Sequence, residues 1–114
     1  MIKRKENIPV TTENNGEGKV KMYLSNLRDF EKAPDKLRMY ALARLLPGEE
    51  VEFHIHEGEC EFYYLLSGKA VYDDNGSKVE IEAGDVTFTP SGNGHGIKNI
   101  GTEPLEFMAL VVKN

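Results

Sequence analysis

The chain has a single cysteine, Cys60. No intrachain disulfide can form, and a cytoplasmic location is expected. No run approaches the roughly 18 apolar residues that a membrane span requires, so no membrane partner is expected. The start, Met1-Ile2-Lys3-Arg4-Lys5, is basic, but Glu6-Asn7-Ile8-Pro9-Val10 follows where a secretion signal would carry an apolar stretch,. Surplus positive charge is lacking too. The formal net charge is −5, whereas a dedicated nucleic-acid binder normally displays an excess of Lys and Arg, so no nucleic-acid partner is expected. Asn75-Gly76-Ser77 spells a glycosylation sequon, but in a cytoplasmic chain it reads as a turn.

What is present is one domain's worth of sequence. The 114 residues leave little room for a second core, and 39% hydrophobic with 29% charged residues is an ordinary soluble balance,. Residues 1–36 carry the turn formers Asn14-Asn15-Gly16 and Gly18 and read as a lead-in with a possible edge strand. Leu24, Leu27 and Phe30 recur at spacings of three, which predicts a short helical turn within 24–33, ended by Pro34. From 37 to 114 the pattern changes. Short apolar or alternating segments, each closed by a breaker, fall at 38–46, 51–56, 61–66, 69–72, 78–82, 86–89, 96–100 and 105–112. Strands with turn signals every 8–12 residues or so predict an all-β sandwich or barrel. Asn75-Gly76 between two such segments predicts a tight hairpin, because both central residues must take positive φ.

Histidine usage is the most informative feature. There are three, and His54 and His56 stand at i and i+2, which on a strand point to the same face. Two imidazoles side by side make a preformed chelate, although an isolated His-x-His on a half-exposed strand is more often solvated or structural. Two further residues shift that balance. Glu61 opens the next apolar strand, where a carboxylate is otherwise out of place. His95 begins another strand after the turn Pro90-Ser91-Gly92-Asn93-Gly94. Three nitrogens and one oxygen suit a divalent transition metal (manganese, iron, nickel, zinc or copper) and leave positions for water or substrate.

The spacing completes a pattern. Gly48, five residues, His54-x-His56, four residues, Glu61, six residues, Gly68 resembles the first motif of the cupin superfamily. Gly84, five residues, Pro90-x-Gly92, two residues, His95, three residues, Asn99 resembles the second. The fifteen residues between them, 69–83, resemble the shortest intermotif spacing of microbial cupins. The resemblance covers 48–99 by motif and is silent on 1–36. It implies a six- to eight-stranded antiparallel jelly-roll β-barrel over 37–114. It also implies a metal held by His54, His56, Glu61 and His95, and a small-molecule substrate or ligand. Gly48, Gly68, Gly84 and Gly92 match turn glycines, and Pro90 and Asn99 match positions read as structural.

Strand parity from Glu61 turns Cys60 away or leaves it in the turn. Glu57 and Glu59 are expected as solvated loop charges, with support of the site or contact with substrate as the alternative. Tyr63 and Leu65 share the parity of Glu61 and are expected inside, with Met39, Ala41, Ala43 and Leu45; Arg44 is expected outside. Phe88 and Met108 are expected as barrel packing. Residues 92–96 lack the Gly-Lys-[Ser/Thr] ending of a phosphate-binding loop,. Phe62, Tyr64 and Leu66 would form an apolar outer face, a physical reason to expect a homodimer. Two functions stay open: a metal-dependent enzyme of dioxygenase, decarboxylase or isomerase type, and a non-catalytic small-molecule binding or sensing module with a bound metal. A purely structural metal site is a weaker third.

Overall fold

The structure is a computed structural model that describes residues 1–14 and 20–114. After a 3-10 turn at Lys5–Asn7, ten strands are present among the described residues. They are β1 (Val10–Asn14), β2 (Val20–Asn26), β3 (Leu37–Leu45), β4 (Glu50–Ile55), β5 (Glu59–Ser67), β6 (Lys69–Asp74), β7 (Ser77–Glu82), β8 (Val86–Thr89), β9 (Gly94–Asn99) and β10 (Leu105–Lys113). They form a six-stranded sheet in the order β1-β2-β3-β10-β5-β8 and a four-stranded sheet in the order β4-β9-β6-β7, with every pairing antiparallel. Eight of them, β3 to β10, lie within 37–114 as expected, but among the described residues no hydrogen-bonded ladder closes the two sheets into a barrel. The jelly roll is an open one.

Strand alternation sets what lies inside. Along β5, Glu61, Tyr63 and Leu65 are buried while Phe62, Tyr64 and Leu66 are exposed. Along β3, Ala41, Ala43 and Leu45 are buried and Arg44 is exposed, as expected. Leu105, Phe107, Ala109 and Val111 are the buried face of β10. One core cluster joins Leu65, Ala43, Leu45, Leu105, Phe107 and Ala109 to Val51, Ala70, Tyr72 and Ile97 of the smaller sheet, so the two sheets bury a common interior. The hairpin at Asn75-Gly76 connects β6 and β7 with φ of 50° and 104° at the two residues, the geometry its sequence demands.

Two expectations are corrected. No helical turn forms at 24–33: Leu24 is a buried residue of β2, opposite Ala43 of β3, Leu27 lies in a turn and Phe30 in irregular chain. Spacing by three over so short a run does not establish a helical period, and pairing with β3 wins. The lead-in therefore supplies two strands, with β1 at the sheet edge; Asn15, Gly16 and Gly18 lie outside the described residues. Phe88 is not interior packing. It is 47% exposed and rests on Phe62 across the outer face of the β5–β8 pair, ring centroids 4.7 Å apart.

Candidate metal centre

The four residues singled out by spacing reach one point from three strands and a turn. His54 sits near the end of β4, His56 just beyond it, Glu61 in β5 and His95 in β9, directly opposite His54. A β-bulge makes this possible. Val51 pairs with Ile97 and His54 with His95, so Glu52 and Phe53 together face the single Gly96. An unbroken strand would turn Val51 and His54 to opposite faces; the extra residue lets Val51 enter the core while His54 also faces inward. Gly96 permits the bulge. A Cβ there would lie 3.0 Å from Phe53 N and 3.1 Å from Val51 O. The turns that carry His56 and precede His95 are tied together by His56 N to Asn93 O (3.0 Å), Gly92 N to His56 O (2.7 Å) and Gly58 N to Ser91 Oγ (2.9 Å).

The donor atoms converge. Nε2 of His56 is 3.1 Å from Nε2 of both His54 and His95, and Glu61 Oε1 is 2.9 Å from Nε2 of both His56 and His95. All four donor atoms lie within 4.8 Å of one another. Each imidazole is held from its far side. His54 Nδ1 donates to the Glu52 carbonyl at 2.8 Å and His56 Nδ1 to the Glu59 carboxylate at 2.9 Å. Neither acceptor can give a proton back, so both neutral rings carry theirs on Nδ1 and turn a bare Nε2 lone pair inward. His95 Nδ1 is 2.9 Å from the hydroxyls of both Tyr72 and Thr89, either of which can accept its N–H.

Lone pairs facing each other at 3.1 Å repel, and a cation among them removes the conflict. With metal–nitrogen distances of about 2.0–2.1 Å, ligands at right angles lie about 3 Å apart, close to the spacing found. The donor set therefore fits a transition metal, held through nitrogen and oxygen with further positions open. Burial reinforces the design: His95 is fully buried, Glu61 is 4% exposed and His56 is 7% exposed. Tyr63 stacks on His95 at 4.8 Å between centroids. Burial, then the charge of Glu61, pushes the Tyr63 phenol well above its ordinary range, and burial raises Tyr72 too.

Of the two roles open to Glu59, a solvated loop charge or support of the site, the structure gives it the second, behind His56. Arg38 grips its carboxylate with two bonds, Nε to Oε1 at 2.8 Å and Nη2 to Oε2 at 3.0 Å. Burial alone would raise the Glu59 carboxyl, but the hydrogen bonds from Arg38 and His56 outweigh it and hold the group below its usual range. Arg38 reaches this position because the β3–β10 register slips there, Val111 pairing with Met39 and Val112 with Leu37. Glu57 is exposed. No pattern in the sequence marked Arg38, Tyr72 or Thr89.

His54, His56 and Glu61 open on a cavity of about 380 Å³ between the sheets. Its wall includes Met22, Leu24, Met39, Ala43, Phe107 and Ala109 from β2, β3 and β10. Glu13, Glu52 and Arg38 also line it, and Arg38 is the one cationic side chain among the described lining residues.

A family model described as the cupin domain matches residues 41–112, most of the chain and all four converging side chains. The chain belongs to the cupin family. This cupin is 41% identical over 112 residues to an oxalate-binding protein of Thermotoga maritima, covering 98% of this chain and 93% of that one. It is 34% identical over 95 residues to an oxalate decarboxylase of Bacillus subtilis, covering 79% of this cupin but 24% of that longer protein. The crystal structure of a predicted oxalate decarboxylase from Thermotoga maritima superposes with a TM-score of 0.89 at 40% identity, covering 100% of both chains.

Proposed function

We propose that this cupin binds a divalent transition metal through His54, His56, Glu61 and His95 and takes a small carboxylate anion there, oxalate being the first ligand to test. The observation that carries the reading is the convergence of three imidazole Nε2 atoms and the Glu61 carboxylate at one end of an accessible cavity. A bound divalent ion supplies a Lewis-acidic centre for anionic oxygen donors. The protein's own part is orientation. The Glu52 carbonyl, Glu59 and the Tyr72–Thr89 hydroxyl pair keep the three Nε2 atoms turned inward. Arg38 lines the same cavity but its charge is paired with Glu59, so the charge that would draw an anion past Glu13, Glu52 and Glu61 is that of the bound ion,. Oxalate is the ligand or substrate named for both relatives, the oxalate-binding protein and the oxalate decarboxylase.

A second reading is catalytic. Glu13 and Glu52 line the same cavity, and a carboxyl within reach of a bound carboxylate can move a proton. Calorimetric titration of oxalate into manganese-loaded and metal-free protein tests the first reading: binding by the loaded form alone supports it, and no binding by either form overturns it. Formate release from oxalate would favour the catalytic reading; intact oxalate after prolonged incubation would favour binding.

A further inference from the structure

The cavity is larger and more apolar than oxalate requires. A dianion of six heavy atoms displaces roughly three waters, about 90 Å³, against about 380 Å³ here. On the inner faces of β3 and β10, Ala41 pairs with Ala109 and Ala43 with Phe107. The three alanines are at most 3% exposed, and their short side chains keep this stretch of the inner face low. Two of them, Ala43 and Ala109, line the cavity. Met22, Leu24, Met39 and Phe107 supply the rest of an apolar wall. Methionine is the side chain that adapts to ligands of varied shape.

We propose that the ligand class of this site is a 2-oxo carboxylate bearing an apolar tail of several carbons, with its head at the His54–His56–Glu61–His95 cluster and its tail along Met22, Leu24, Met39 and Phe107. The inference rests on the metal-dependent carboxylate reading above. Oxalate offers two oxygen donors on adjacent carbons, and a 2-oxo carboxylate offers the same adjacent pair with one carboxylate replaced by a ketone that carries the tail. An apolar tail covers surface that oxalate leaves to water.

The experiment is a calorimetric series on the manganese-loaded full chain with oxalate, pyruvate, 2-oxobutanoate, 2-oxopentanoate and 4-methyl-2-oxopentanoate. Each added carbon is expected to tighten binding about three- to fourfold, the equivalent of about 0.8 kcal/mol per buried methylene. Met39→Ala is expected to flatten the series, each affinity being read relative to that variant's own oxalate affinity. A flat series in the wild type, with oxalate bound, overturns the inference and leaves the carboxylate reading standing. Unchanged steepness in Met39→Ala overturns the assigned tail path. If neither oxalate nor any 2-oxo acid binds the loaded protein, the reading beneath the inference fails, and the inference with it.

Discussion

Replacing Glu59 with Gln separates a ligand from the group that aims it. Glu59 keeps its shape in Glu59→Gln but loses its charge and half its accepting capacity. In the native arrangement its two oxygens take three N–H groups: His56 Nδ1, Arg38 Nε and Arg38 Nη2. A glutamine carbonyl oxygen in the place of Oε2 still accepts from His56 Nδ1 and Arg38 Nη2, but its amide nitrogen then faces Arg38 Nε, donor against donor,. A carboxylate behind a metal-ligating imidazole is typically worth 10- to 100-fold in metal affinity, about 1.4–2.7 kcal/mol. The side chain is only 16% exposed, yet the amide keeps its bond to His56 and loses only the charge and the acceptor for Arg38 Nε. The lower half of that range is therefore expected, about 10- to 30-fold. Competition against a chromophoric chelator measures it, with a thermal melt to show that the variant folds. Arg38→Gln leaves Glu59 free to hold His56, so a severalfold loss is expected there. A change below threefold in Glu59→Gln, with a cooperative melt, would refute the reasoning and mean that packing alone orients His56.

Gly96→Ala puts a Cβ against the Val51 and Phe53 backbone; overpacking of about 1–3 kcal/mol is expected. Its metal affinity, assayed well below the melting temperature, should fall as β4 moves His54 away from His95. Asn99 is 1% exposed and donates to Leu45 O (3.0 Å) and Glu103 O (2.8 Å) while accepting from Gly101 N (2.9 Å). Asn99→Ala should cost about 2–3 kcal/mol, roughly 10 °C in Tm by calorimetry. The outer face of β5 and β8 exposes Phe62, Tyr64, Leu66, Val86 and Phe88, an apolar patch of the kind that marks an interface. Light scattering should give a mass near twice that of the chain, and Tyr64→Lys should bring it to that of a monomer without lowering Tm; a monomeric wild type would refute the expected homodimer.

Much of the site was legible because its chemistry needs rare residues at fixed intervals. Three histidines and a misplaced carboxylate, spaced along short strands, named the four side chains that the structure brings within 4.8 Å. Alternation from Glu61 likewise sorted Tyr63 and Leu65 from Phe62 and Tyr64. The supporting partners were less legible. Arg38 and Tyr72 reach Glu59 and His95 through register between strands distant in sequence, and Thr89 through the turn before β9; Glu59, three residues from His56, stood only as the alternative to a solvated loop charge. Two β-bulges, at Glu52–Phe53 and at Arg38, move side chains off the faces that simple alternation assigns. The same limit explains Leu24, whose spacing from Leu27 and Phe30 resembled a helix while its partner in β3 made it a strand residue. Phe88 was misassigned because a large aromatic suits an interior and an outer apolar face equally well.

The most direct test of the account is the metal content, by elemental analysis, of wild type, His56→Ala and His95→Ala after loading with a divalent transition ion and desalting. The account predicts about one tightly held ion per wild-type chain, and almost none in either variant even where it melts cooperatively. A wild-type chain that retains no ion, or variants that retain as much as the wild type, would contradict it.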